Sequence, residues 1–452
     1  MNFALILFFS GSAAALISMN FVLLYHNLNM GNVDAFPISE DKKVHPVDTK
    51  LKAQLYFKGL NIPTSFAFLG PDDILVLEKN SGEVKRIVNG VMLNEPLLTT
   101  KVATKAERGM LGIAVYNQTL DGKDGHDIKT RVFLYFTEAQ SSDGDDVTEG
   151  RKPLGGRLYG YDLIDDRLQN PKLLLDLPLE SQGYHNGGKI TIGPDDNVYL
   201  VVGDVQSHHS KAQNYVNGLE PDGRGGILKV SLDSNSTENG ILGDDYPLNL
   251  YYAYGIRNSF GLAFDPLTGN LWDTENGDGY ADEINLVEPG FNSGWVNVQG
   301  IWKRNTSFTM KQGFVPGEVS LHPNNLTTFG GKGKYSLPEF TWYIPSGPTA
   351  IKFLNSKRLG SEYENDMFVG SIHSSHLYHF ELNKKRDGLL LTGVLADKIA
   401  NNPKELEEEG VVFANGLGGG INDIQVGPDG YLYLLARGGK IIRIVPDGIS
   451  IE

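Results

Sequence analysis

Cysteine is absent from all 452 residues. Its absence excludes disulfides, thiolate catalysis, and zinc or iron–sulfur sites held by cysteine. It assigns no compartment, because many exported proteins lack disulfides. Basic runs are missing too. Lysine and arginine total 40 against 55 aspartate and glutamate, a net charge of −15, with no cluster able to track a phosphate backbone, so nucleic acid is not expected as a partner. An acidic surface of this kind suits a neutral substrate or a bound cation. Helical patterning is scarce. Only residues 404–409, KELEEE, look briefly helical, and they read better as a solvated turn.

Charge is also missing from residues 3–25, a stretch of mostly Leu, Ile, Phe, Val and Ala. It is long enough to cross a bilayer as a helix, which takes about 20 apolar residues. No Lys or Arg precedes it, which weakens a cleavable signal and favours an uncleaved anchor. Residues 27–50 are largely polar and carry Pro37 and Pro46, as a linker would. The expected organisation is a signal or anchor segment at 1–26, a linker at 27–50 and one globular domain at 51–452. The expected location is extracytoplasmic, secreted or membrane-tethered. Sequons at Asn117, Asn235, Asn305 and Asn325 are compatible with export.

Glycine, by contrast, is abundant, with 54 residues beside 20 Tyr and 21 Phe. The glycines have no collagen-like period and punctuate short strands rich in aromatic and β-branched side chains. A strand, a turn of Gly, Pro and Asp, and a second strand recur at residues 66–77, 190–202, 261–272 and 424–435. Looser copies fall at 112–161 and 349–382. Such recurrence marks radial repetition, in which small antiparallel sheets bury their faces against their neighbours. About 400 residues at roughly 65 per unit give about six units, against 40–45 residues in ordinary ones. The expected fold is all-β, a six-bladed β-propeller of four-stranded antiparallel blades. The surplus length falls in long loops, where function usually sits.

Residues 184–204, YHNGGKITIGPDDNVYLVVGD, place His185 at the mouth of one hairpin beside two glycines. A turn histidine bonding locally and a general base reached by a ligand both fit this stretch taken alone. Glu107 and Arg108 open another strand; Arg257 and Asn258 open a third. Residues 275–283 gather Glu275, Asp278, Asp282 and Glu283 around Gly277 and Gly279. Such oxygen density on flexible backbone suits a hard cation, Ca²⁺ above all, although a solvated acidic loop has the same composition. His376 and His379 point to opposite faces of a strand and read as blade-edge residues. Trp342 and Tyr343 could stack on a sugar ring, or simply pack.

Four segments in this order, ERGMLGIA (107–114), HNGGKITIGPDDNVYLVVGD (185–204), YGIRNSFGLAFDP (254–266) and ENGDGYADEINLVEPGFNSGW (275–295), resemble the glucose/sorbosone dehydrogenase family. These are soluble aldose sugar dehydrogenases that depend on pyrroloquinoline quinone (PQQ). The likeness covers about residues 55–445. It implies a six-bladed propeller that oxidises aldoses at C1 and passes electrons to an acceptor. By this resemblance His185 is the catalytic base, and Arg257 and Asn258 face the quinone carbonyls. Glu107, Asn276 and Asp282 lie at cofactor positions. Gly277 and Asp278 hold a polarising Ca²⁺ through their carbonyls, and Glu283 matches a ligand of a second, structural Ca²⁺.

Two departures stand beside the likeness. Where the family carries two arginines that neutralise the PQQ carboxylates, this chain has Gly420 and Asn422, and a late-blade cation is replaced by His373. PQQ is a tricarboxylate, so these losses motivate a second reading, a Ca²⁺-binding propeller that has lost the cofactor and serves as a binding module. A third, a Ca²⁺-dependent lactone or ester hydrolase, rests on fold analogy.

Overall fold

A computed structural model describes residues 45–119, 128–140, 152–206, 209–233, 240–304, 317–417 and 419–448. The anchor expected at 1–26, most of the linker, and the sequons at Asn235 and Asn305 lie outside the described residues.

The chain is an all-β propeller. Five sheets take their main strands from successive stretches of chain, with His45–Pro46 added to the edge of the fifth, and a sixth combines the two ends. The first holds Pro63–Gly70, Asp73–Glu78, Glu83–Val88 and two short additions. The second holds Met110–Thr119, Ile128–Glu138, Gly155–Ile164 and Arg167–Leu177. The third runs Ile190–Ile192, Asn197–Val202, Gly226–Ser231 and Tyr251–Tyr254, and the fourth Ser259–Phe264, Leu271–Glu275, Asp282–Val287 and Phe340–Trp342. In the fifth are Pro348–Phe353, Met367–Ser371, Leu377–Phe380 and Val412–Asn415. In the sixth, Ile421–Val426, Leu432–Ala436 and Lys440–Pro446 pair with Leu51–Lys58, so the start of the domain completes its last sheet. Uniform four-stranded antiparallel blades are not found. Phe291–Asn292 and Lys334–Tyr335 extend the third sheet in parallel, and Ile399–Ala400 extends the fourth. The long loops supply these extra edges, covering backbone that would otherwise stay unpaired.

The turns explain the recurrence. In the third sheet Gly193 N–H donates to Asn197 O at 2.8 Å, and Asp195 accepts from Tyr199 Oη at 3.1 Å. The sixth sheet repeats this, with Gly427 N–H on Tyr431 O at 2.9 Å and Asp429 accepting from Tyr433 Oη at 2.9 Å. A turn carboxylate thus pins the second strand through its tyrosine, which fixes register locally.

The innermost strands form a ring in which each neighbours the next and Ile421–Val426 returns to Pro63–Gly70. Apolar clusters lie between successive sheets rather than in one central core. Phe133, Leu158, Leu200 and Leu228 join the second to the third, and Trp272, Phe340, Phe353 and Val369 the fourth to the fifth. Phe66, Ile74, Tyr433 and Ile441 join the first to the sixth. The axis is polar instead. Asp423 accepts from Ser65 Oγ, Phe66 N and Lys189 Nζ, tying three sheets across the ring.

Residues 403–408 correct the turn expected there. Pro403–Glu408 is a helix, because Asn402 Oδ1 caps the N–H groups of Lys404 and Glu405, proline takes the first helical position, and Leu406 is buried.

Candidate active site

Every segment singled out in the sequence leads into an innermost strand or joins the neighbouring two at the same end of the ring. Glu107 precedes Met110–Thr119, His185 precedes Ile190–Ile192, and Arg257 and Asn258 precede Ser259–Phe264. Residues 276–281 join Leu271–Glu275 to Asp282–Val287. Residues far apart in sequence therefore converge on one mouth.

At its centre His185 is buried, and its backbone takes a left-handed φ of 57°. Histidine tolerates this region better than most residues, but it remains a strained setting that the surroundings must hold. They do so at Gly203, where a Cβ would lie 2.3 Å from His185 O. His185 Nδ1 lies 2.6 Å from Asp204 Oδ1. Asp204 also accepts from Gln206 N at 2.8 Å and, on its other oxygen, from Trp295 Nε1 at 2.7 Å. Burial would raise the carboxyl pKa, but the His185 hydrogen bond and charge, with Arg257 nearby, leave it below the ordinary range. An ionised Asp204 makes Nδ1 the donor and leaves Nε2 with a free lone pair. That is the tautomer a general base needs.

Trp295 links this dyad to a charged cluster. Arg257 and Arg304 lie over its ring at 5.4 and 4.5 Å, and both grip Asp278, at 3.3 and 2.7 Å. Arg257 Nη1 also donates to Asn276 O at 2.8 Å, so two of its nitrogens are engaged inside the protein. Asn258 Nδ2 sits 3.3 Å from both Glu107 oxygens, and Glu107 also accepts from Asn186 N at 3.1 Å. Glu107 thus orients Asn258 from the neighbouring sheet.

Asp282 is buried, with one oxygen accepting from Gly277 N at 2.8 Å and the other from Gly347 N at 2.7 Å. It latches the fourth sheet to the segment opening the fifth, and burial raises its pKa to about 6. Asn276 Nδ2 makes a parallel link to Pro348 O at 3.0 Å. Glu283 faces Glu275 in cross-strand register, with Asp273 two residues along the same face. Burial raises all three carboxyls, Glu275 to about 7. His373 stands exposed at the rim, bonded through its backbone to Ser346 O at 3.2 Å, and shares no hydrogen bond with the dyad network among the described residues.

His379 bonds Asp366 at 2.9 Å and packs on Phe368, which makes it structural. Trp342 is core, while Tyr343 remains part-exposed beside Trp302 at 5.6 Å. Sequence reasoning missed Asp204, Trp295 as a hydrogen-bond donor, and Arg304. The Gly203-Asp204 ending of the His185 segment was the one available signal for Asp204.

The mouth retains unsatisfied groups. Arg257 Nε, Asn258 Oδ1 and Asn186 Oδ1 are buried without a hydrogen-bond partner among the described residues. Buried polar atoms seldom stay orphaned, so these fit a polar ligand bearing both donors and acceptors. Both Asp273 oxygens are similarly unpartnered beside Glu275 and Glu283, and among the described residues no three His, Asp or Glu side chains come together as a ready-made metal site. Both Asp278 oxygens are occupied by arginines, which leaves its backbone carbonyl as the ligand it can offer.

The structure is thus an all-β propeller with a buried His–Asp dyad at one mouth of its ring. Residues 60–443 match the family model described as Glucose / Sorbosone dehydrogenase, and the chain belongs to that family. Among curated relatives, aldose sugar dehydrogenase YliI of Escherichia coli strain K12 is 24% identical over 402 residues, covering 86% of this chain and 91% of that protein. Quinoprotein glucose dehydrogenase B of Acinetobacter calcoaceticus is 28% identical over 270 residues, 55% of this chain and 52% of that one. The PQQ-bound aldose sugar dehydrogenase of Streptomyces coelicolor shares the fold, with a TM-score of 0.59 at 20% identity over 89% of this chain and 99% of that one.

Proposed function

We propose that this chain is a PQQ- and Ca²⁺-dependent dehydrogenase that oxidises aldose sugars at C1 to the lactone. The His185–Asp204 dyad is the observation that carries the reading. His185 Nε2 takes the proton of the anomeric hydroxyl as the C1–H bond breaks and a C1=O double bond forms. PQQ, when bound, supplies the two-electron acceptor for the hydride. Asp204 holds the ring and stabilises the imidazolium. Glu107 keeps Asn258 aimed into the mouth, where Asn258 and Arg257 would meet the quinone carbonyls and stabilise developing charge. Gly277 and Asp278 would hold a polarising Ca²⁺ through their carbonyls, and Glu283, with Glu275, a structural one. Tyr343 and Trp302 offer a face for the sugar ring. The domain keeps six blades in this reading, which is supported by the six sheets of four or more strands among the described residues. Residues 1–26 would place the domain outside the cytoplasm, tethered or secreted, with electrons passing to an external acceptor.

Reconstitution with PQQ and Ca²⁺, followed by dye reduction with a panel of aldoses, tests the proposal. Absence of both turnover and any sugar-induced change in quinone absorbance would sink it. The binding-module reading is favoured by one observation, that neither Gly420 nor Asn422 offers a cation to a tricarboxylate. Ca²⁺-dependent thermal stabilisation without PQQ binding would support it instead.

A further inference from the structure

A tricarboxylate cofactor needs fixed positive charge, and the local packing explains why positions 420 and 422 do not supply it. Gly420 has φ 101°, and a Cβ there would lie 2.4 Å from Ile372 O and 2.7 Å from Ile372 Cα. No side chain fits without moving the neighbouring sheet. Asn422 Nδ2 is committed to Pro63 O, which ties the sixth sheet to the first.

Two other side chains flank Gly420. Arg437 donates its backbone N–H to Gly420 O at 2.9 Å, one residue beyond the Ile421–Ala436 register pair. Its side chain is exposed, with no ion pair or hydrogen bond among the described residues. On the other side Ile372 packs against Gly420, and His373 follows it, with Nδ1 2.8 Å from where a Gly347 Cβ would stand. Both His373 and Arg437 belong to turns at the same end of the ring as His185. The atoms packed around its ring and the nearby Arg437 charge hold the His373 pKa below its ordinary value. Arg257 and Arg304, by contrast, share the Asp278 carboxylate.

We propose that Arg437, assisted by His373, is the carboxylate-binding subsite for the quinone, a cation supplied from the turn next to Gly420. This rests on the dehydrogenase reading above. Arginine reaches a carboxylate with two parallel N–H donors.

The test is calorimetric titration of the purified full-length chain with PQQ in Ca²⁺, with PQQ-induced thermal stabilisation as a second readout. Arg437→Ala should weaken binding by about tenfold or more, as loss of a charge-assisted pair implies, and should flatten the salt dependence of Kd. Arg437→Lys should recover part of the affinity, and His373→Ala should cost only a few-fold. Lys385→Ala, in an exposed turn at the opposite end of the ring, should leave Kd unchanged. A wild-type Kd in Arg437→Ala overturns the subsite and leaves the dehydrogenase reading standing. Failure of the wild-type chain to bind PQQ at all overturns both.

Discussion

Replacing Asp204 by Asn alters no heavy-atom shape yet should disable the site. The native carboxylate accepts three hydrogen bonds, from His185 and Gln206 on Oδ1 and from Trp295 on Oδ2. An amide can satisfy only part of this set. With its NH₂ at the Oδ2 position, it meets the indole N–H donor to donor. Turned the other way, it faces the Gln206 N–H and forces His185 to accept at Nδ1, which moves the ring proton to Nε2. The first orientation leaves a buried donor unsatisfied, at about 1–3 kcal/mol. The second removes the lone pair that takes the substrate proton. Loss of general-base assistance is worth about 10²–10⁴ in turnover, and Asp204→Asn is expected in that range, with Tm lowered and PQQ affinity nearly unchanged. Steady-state dye reduction, thermal melts and imidazole nitrogen NMR shifts measure the three consequences separately. Turnover within threefold of wild type, with the native tautomer retained, would refute the dyad argument.

His185→Ala should lose turnover to a similar degree while binding PQQ as well as the parent, measured by titration; loss of binding would make His185 a cofactor contact instead of a base. Burial pushes Asp282 up to about 6 and Glu275 to about 7. Each folded carboxyl therefore keeps a proton that the unfolded chain has lost, and their contribution to stability falls as pH rises from about 4 to about 7. For Asp282 the rise amounts to roughly 3 kcal/mol at 1.36 kcal/mol per unit. Urea melts in chelator at pH 5 and 7.5 should show the loss, Ca²⁺ should offset most of it at the higher pH, and Asp282→Asn should reduce the slope; a flat profile in chelator contradicts the buried-carboxyl account. Gly420→Ala should destabilise by about 1–3 kcal/mol in denaturant, through its left-handed φ and the Ile372 contact, and an unchanged midpoint would show that the neighbouring sheet yields.

Local chemistry made much of this molecule legible. Alternating apolar residues around Gly-Pro-Asp turns specify a hairpin within a dozen residues, so the propeller and its recurring units could be read directly, as could His185, Arg257 and Asn258 inside their segments. Residues 403–408 were misread because the Asn402 cap and the burial of Leu406 outweigh an apparently solvated charge run. Asp282 was legible only as a polar residue of its segment; that it also latches two sheets follows from partners that are backbone N–H groups, whose position depends on how the fourth and fifth sheets meet. The sequence by itself determined which segments carry polar chemistry and that they open strands. Only the tertiary structure decided that Asp204 joins His185 to Trp295, 91 residues further along, and that Gly420 leaves room for no side chain. Strand and turn propensities act over a few residues, whereas these partnerships arise when the ring of sheets brings distant strand openings to one mouth.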